Sequence, residues 1–208
     1  TGSGGTAATD YTYSWNTTPV QTTATASNLV AGDYSVTITD DNNCIATAGP
    51  ISISEPTALS ASIGIPTMVS CNGANDGSAT VTGSGGTAAV DYTYSWNTTP
   101  VQTTATASNL VAGNYTVTVT DDNGCTATDN VGITEPNALA ATMGSPTMVS
   151  CNGAVPADGS VTVTASGGTV AGSYIYLWSD GQTTATATNL AAGNYSVTIT
   201  DDNSCSVA

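Results

Sequence analysis

Residues 114–125 read Asn114-Tyr115-Thr116-Val117-Thr118-Val119-Thr120-Asp121-Asp122-Asn123-Gly124-Cys125. Tyr115, Val117 and Val119 fall on one face and Thr116, Thr118 and Thr120 on the other. That period of two belongs to a half-buried β-strand, not to a helix. The strand runs into Asp-Asp-Asn-Gly, a strong turn signal. The same sentence is written twice more: Tyr34, Val36 and Ile38 precede Asp40-Asp41-Asn42, and Tyr195, Val197 and Ile199 precede Asp201-Asp202-Asn203.

Working outward, each copy carries an aromatic strand upstream, Tyr11/Tyr13/Trp15, Tyr92/Tyr94/Trp96 and Tyr174/Tyr176/Trp178, and before it a short apolar strand, Ala79/Val81 or Val161/Val163. The stretch 1–15 recurs almost unchanged at 82–96, and Cys44, Cys125 and Cys205 recur at steps of 81 and 80 residues. A unit of about 80 residues is therefore reused, which decides the organisation before any single motif does. Glu55-Pro56 and Glu135-Pro136 each precede a fresh apolar start, and Pro suits a junction because it cannot donate to a sheet ladder. We expect the back of one repeat in 1–56, a complete repeat in 57–136, and in 137–208 a repeat lacking its last strand, the whole being a window of a longer polypeptide. Short strands separated by turns, one bearing a Trp, predict an all-β chain of small antiparallel sandwiches of the immunoglobulin kind, arranged head to tail.

Composition narrows the function. The 208 residues include 15 Asp plus Glu and no Lys, Arg or His, a net charge of −15. Without cations the chain cannot neutralise phosphates, which argues against nucleic acid or an anionic membrane surface as partner. It also lacks an imidazole base, a Schiff-base amine and a guanidinium clamp, so an enzyme is not expected. No apolar run approaches the roughly 18 residues of a spanning helix, so no direct membrane insertion is expected.

The ordered string Cys71-Asn72-Gly73, Asp76-Gly77-Ser78, Gly85-Gly86-Thr87, Tyr92-Thr93-Tyr94-Ser95-Trp96, Gln102-Thr103-Thr104, Asn109-Leu110 and Gly113-Asn114-Tyr115, ending at Asn123-Gly124-Cys125, resembles the SprB repeat. The Tyr-x-Trp strand and the Tyr115 strand also resemble those of PKD domains. The resemblance implies PKD-like sandwiches in a very large cell-surface adhesin of Bacteroidota, exported by type IX secretion and associated with gliding motility. It carries no catalytic motif. The implied partners are neighbouring repeats of the same chain, with surface polysaccharide or other copies of a fibre as further ones. An array of carbohydrate-binding modules and a self-assembling extracellular fibre are the alternatives.

Five Cys without a C-x-x-C or a His favour disulfides over metal. Cys71–Cys125 and Cys151–Cys205 are expected, because each pair encloses four predicted strands and an even number of antiparallel crossings returns the chain to its starting end. Cys44 would then bond a partner upstream. Pairing Cys44 with Cys71, or leaving buried thiols reduced, are the other readings. Asp40, Asp41, Asp121, Asp122, Asp201 and Asp202 offer oxygen donors that could hold Ca²⁺, yet tight turns favour the same residues for their own backbone bonding. Adjacent carboxylates on a turn do not flank a substrate as a glycosidase requires. Trp15, Trp96, Trp178, Tyr34, Tyr115 and Tyr195 are expected in cores, the alternative being platforms for sugar stacking. Asn16, Asn97, Asn114 and Asn194 fall in N-x-Ser/Thr sequons, which a Thr-rich chain produces readily.

Overall fold

A computed structural model describes residues 2–5, 11–87, 91–151 and 157–208. Every element is a β-strand and every pairing is antiparallel among the described residues. The chain divides into two compact units, Thr1–Ala58 and Leu59–Ala208.

The first unit holds β1 (Thr12–Trp15), β2 (Gly32–Thr39) and β3 (Ile45–Ile53), in the order β1-β2-β3. Among its described residues Val36 is the one buried hydrophobic. Among the described residues no opposite layer closes over the apolar face of this sheet, and for that reason Trp15 and Tyr34, expected in a core, are only half-buried.

The second unit contains two copies of one sandwich. In the first of them β4 (Ser60–Ile63), β5 (Gly77–Ser84) and β7 (Thr106–Leu110) form one sheet, and β6 (Thr93–Trp96), β8 (Gly113–Thr120) and β9 (Thr126–Ile133) the other. The next copy repeats this with β10 (Ala140–Met143), β11 (Gly159–Ser166) and β13 (Thr186–Leu190) against β12 (Ile175–Trp178), β14 (Val197–Thr200) and β15 (Ser206–Val207). The period of two is realised literally. In β8, Val117 and Val119 are fully buried while Thr116 is exposed, and Val117 faces Trp96 across the β6–β8 ladder. Val69, Ala79, Val81, Trp96, Ala107, Leu110 and Ile133 complete this core. A separate core, built on Val163, Trp178, Ala187 and Ile199, serves the following copy. The buried Trp on the third strand is the immunoglobulin-type arrangement.

Two features steer the chain inside each copy. Tyr115 Oη donates to Val111 O at 3.0 Å, and Tyr34 and Tyr195 do the same to Val30 and Ala191, four residues upstream. This is the tyrosine corner of immunoglobulin-like domains. Tyr115 and Tyr195 thus lie half-buried at the margin of their cores, not inside them. The second feature is the stretch between β6 and β7. Thr87, just after β5, bonds Asp121 at the end of β8, which lies beside the start of β6, so β6 runs back against β5; β7 is also antiparallel to β5, and residues 97–105 therefore carry the chain back up the domain without forming a strand. Gln102 secures this return by imitating a backbone, accepting from Ser108 N and donating to Ser108 O, both at 2.9 Å. Gln21 and Gln182 repeat the device on Ser27 and Thr188.

Candidate functional site at the junction between copies

The end of each sandwich where β4 or β10 begins is its leading end; the chain leaves at the opposite, trailing end. The β8–β9 turn lies at the leading end and is organised by Asp121. Its Oδ1 accepts from Asn123 N at 3.0 Å and Cys125 N at 2.8 Å, and its Oδ2 accepts from Thr87 N at 2.9 Å. Asp201 holds the corresponding turn through Asn203 N, Cys205 N and Thr169 N. Both aspartates are buried. Hydrogen bonds from backbone N–H groups, first that of Thr87 or Thr169, hold their carboxyls below the usual carboxylate range. Asp40 Oδ1 accepts from Asn42 N and Cys44 N in the first unit. The first Asp of each pair is thus a structural clasp held by backbone donors. Among the described residues no group of three or more His, Cys, Asp or Glu side chains is placed to hold a metal ion.

The trailing end of the 59–136 copy is made by the loop between β4 and β5. Val69 N donates to Thr134 O at 3.0 Å, Asn72 Nδ2 to Pro136 O at 3.1 Å, and Gly73 N to Glu135 Oε2 at 2.6 Å. Asp76 Oδ1 accepts from Ser70 N at 3.0 Å, and the Ser70 bonds lower its pKa. The loop is therefore tied to the point where the chain exits toward the next copy. Cys71 is presented there.

Cys71 bonds Cys205, 134 residues later, with the Cα atoms 5.8 Å apart. Beside it Asn203 Nδ2 donates to Ser70 O at 2.9 Å. The disulfide joins the trailing end of one copy to the leading end of the following one. The expected pairs Cys71–Cys125 and Cys151–Cys205 are not formed; Cys125, Cys151 and Cys44 are free and exposed. Strand parity breaks at residues 97–105. Their return makes β6 and β7 parallel in direction, so four strands leave Cys71 and Cys125 at opposite ends of the sandwich.

Of the six aromatic residues expected in cores, Trp96 and Trp178 are 1% and 2% exposed. Their indole N–H groups donate to Thr104 O at 3.0 Å and Thr184 O at 2.8 Å. A ring enclosed and hydrogen-bonded in this way offers no face to a sugar. The clasp role of Asp121, the Gln102 bracket and the tyrosine corner were not read from the sequence. Their signal was present as the threefold recurrence of Asp-Asp-Asn, Gln-Thr-Thr and Gly-(Asp/Asn)-Tyr.

A family model described as the SprB repeat matches residues 64–100 and 144–183. Both segments are SprB repeats. Each SprB match begins just after the first strand of a sandwich, takes in the cysteine loop and the second strand, and ends beyond the buried Trp. No curated protein matches the chain. Among solved structures, a tetra-tandem repeat from the extending region of a large adhesion protein is similar at 16% identity with a TM-score of 0.24. The similarity covers 95% of this chain and 64% of that one, so the chain spans less than two thirds of its length.

Proposed function

We propose that the chain is a structural segment of a large secreted cell-surface adhesin or filament, whose SprB repeats supply reach and present many equivalent weak contacts. The observation that carries this reading is the covalent join between the trailing end of one SprB repeat and the leading end of the next. Units that touch mainly their neighbours make a quasi-linear object, and repetition multiplies avidity without a strong single site. The buried Trp96 and Trp178 weigh against a sugar-stacking array, and the family supplies no catalytic constellation. Export by type IX secretion and a part in gliding motility belong to this proposal, as do attachment to surface polysaccharide and association with other copies of the fibre.

The test is X-ray scattering from chains holding increasing numbers of repeats. With eight-residue strands at about 3.3 Å per residue plus turns, the maximum dimension should grow by about 30–40 Å per copy. Growth as the cube root of length would overturn the reading. Labelling of the intact parent on cells, viewed by electron microscopy, should place it outside the outer surface.

A further inference from the structure

Cys151 occupies in its copy the position Cys71 occupies in the preceding one. The loop is fixed alike: Ser150 N donates to Asp158 Oδ1 at 3.0 Å, as Ser70 N does to Asp76, and the bridge Thr147↔Ser160 repeats Thr67↔Ser78. Cys125 in turn occupies the position of Cys205, with its N–H on Asp121 Oδ1 at 2.8 Å against 2.9 Å for Cys205 on Asp201. Cys44 sits in the same clasp on Asp40. The bonded pair is therefore one instance of a geometry whose two halves are both present again, exposed and reduced, at the opposite ends of the second unit.

We propose that Cys125 and Cys151 are open halves of the same staple: in a longer run of repeats, each cysteine of the β4–β5 type loop bonds the turn cysteine of the copy that follows it. This rests on the tandem-array reading above. Each staple forms as two thiols lose two protons and two electrons to a disulfide oxidant, such as oxidised glutathione or a protein dithiol oxidant, which is reduced to two thiols.

The consequence is mechanical. Cys125 and Cys151 are 151 − 125 = 26 residues apart in sequence, yet they stand at the leading end of one copy and the trailing end of the next. Fully drawn out, that stretch reaches about 90 Å. Two folded copies already occupy about 60–80 Å. With every staple closed, covalent paths of this kind run from junction to junction, bypass the four strands between the loop and turn cysteines of each copy, and are almost taut in the folded array. Losing one copy of about 80 residues from an unstapled chain would release about 270 Å. The stapled fibre is thus close to inextensible even if a domain unfolds.

The experiment lengthens the full chain by appending a second copy of residues 129–208 after Ala208, which continues the repeat in phase. The product is oxidised with glutathione, alkylated with iodoacetamide and mapped without reduction. Two cross-linked peptides are expected, Cys71–Cys205 and Cys151 with the appended equivalent of Cys205, while Cys44, Cys125 and the appended equivalent of Cys151 are alkylated. A Cys151→Ser variant should keep the first cross-link and leave both appended cysteines alkylated. Alkylated Cys151 in a chain that retains Cys71–Cys205, a bond from Cys151 to Cys125, or loss of both staples would each overturn the proposal. Scattering from the reduced product separates this from the array reading, because the added copy should lengthen it by about 30–40 Å whether or not the staple forms.

Discussion

The carboxylate of buried Asp121 and the backbone N–H of Thr87, 2.9 Å apart, connect the β8–β9 turn to the loop that follows β5, and so link the two sheets of the sandwich. Asp201 and Thr169 do the same in the following copy at 2.8 Å. Both aspartates titrate below the ordinary 3.8 in the folded protein. A depressed folded pKa contributes stability that is complete above the unfolded value and is lost as pH falls through it toward the folded one. The melting temperature should therefore be flat at neutral pH and drop below about pH 4. Asp121→Asn with Asp201→Asn should lower it at neutral pH and flatten the acid limb; an unchanged limb would show that these clasps do not govern acid unfolding.

Gly86 and Gly124 separate two costs. Both have positive φ, but a Cβ on Gly124 meets nothing within 4 Å, whereas on Gly86 it would stand 2.5 Å from Asp121 Oδ2. Gly124→Ala should cost about 1 kcal/mol for the backbone alone. Gly86→Ala should cost more in urea denaturation, since it also displaces the clasp. Equal losses would mean that the carboxylate simply moves aside.

The corner made by Tyr115 can be isolated by removing one oxygen. Tyr115→Phe keeps the ring against its core and deletes the bond to Val111 O. A loss of about 1 kcal/mol is expected from chemical denaturation, with a similar loss for Tyr195→Phe. No loss at either site would make the corner incidental.

Trp15 differs from Trp96 and Trp178 by lacking an opposing sheet among the described residues. In single-Trp variants, acrylamide should quench Trp15 readily and the other two poorly. Trp96→Ala should destabilise its copy by about 3–5 kcal/mol. Ready quenching of Trp96 would contradict its enclosure in the core.

Cys71–Cys205 shelters the 134-residue span between its sulfurs from a load applied at the chain ends. Pulled in a force spectrometer, the oxidised chain should lack about 450 Å of contour length that appears once a phosphine reduces the bond. Reduction should also lower stability, by about 5 kcal/mol in the chain-entropy account. Equal contour lengths before and after reduction would exclude the staple.

Strand positions, the β class, the copy length and the burial of Trp96 and Trp178 were decided locally, by a period of two and by repetition, because a side chain's face on a strand follows from its place in the alternation. The first-unit Trp15 shows the limit of that reasoning: the same pattern is only half-buried where no second sheet covers it. Which cysteines meet could not be read in this way. Disulfide choice depends on which end of the sandwich each cysteine reaches, and that turned on residues 97–105, a return path that forms no strand and leaves no periodic mark. Likewise Asp121 has the composition of a solvent-facing turn, and only the approach of Thr87 from a distant loop makes it an internal clasp. Local pattern determines which face a residue takes; the three-dimensional path alone determines which distant groups it finds there.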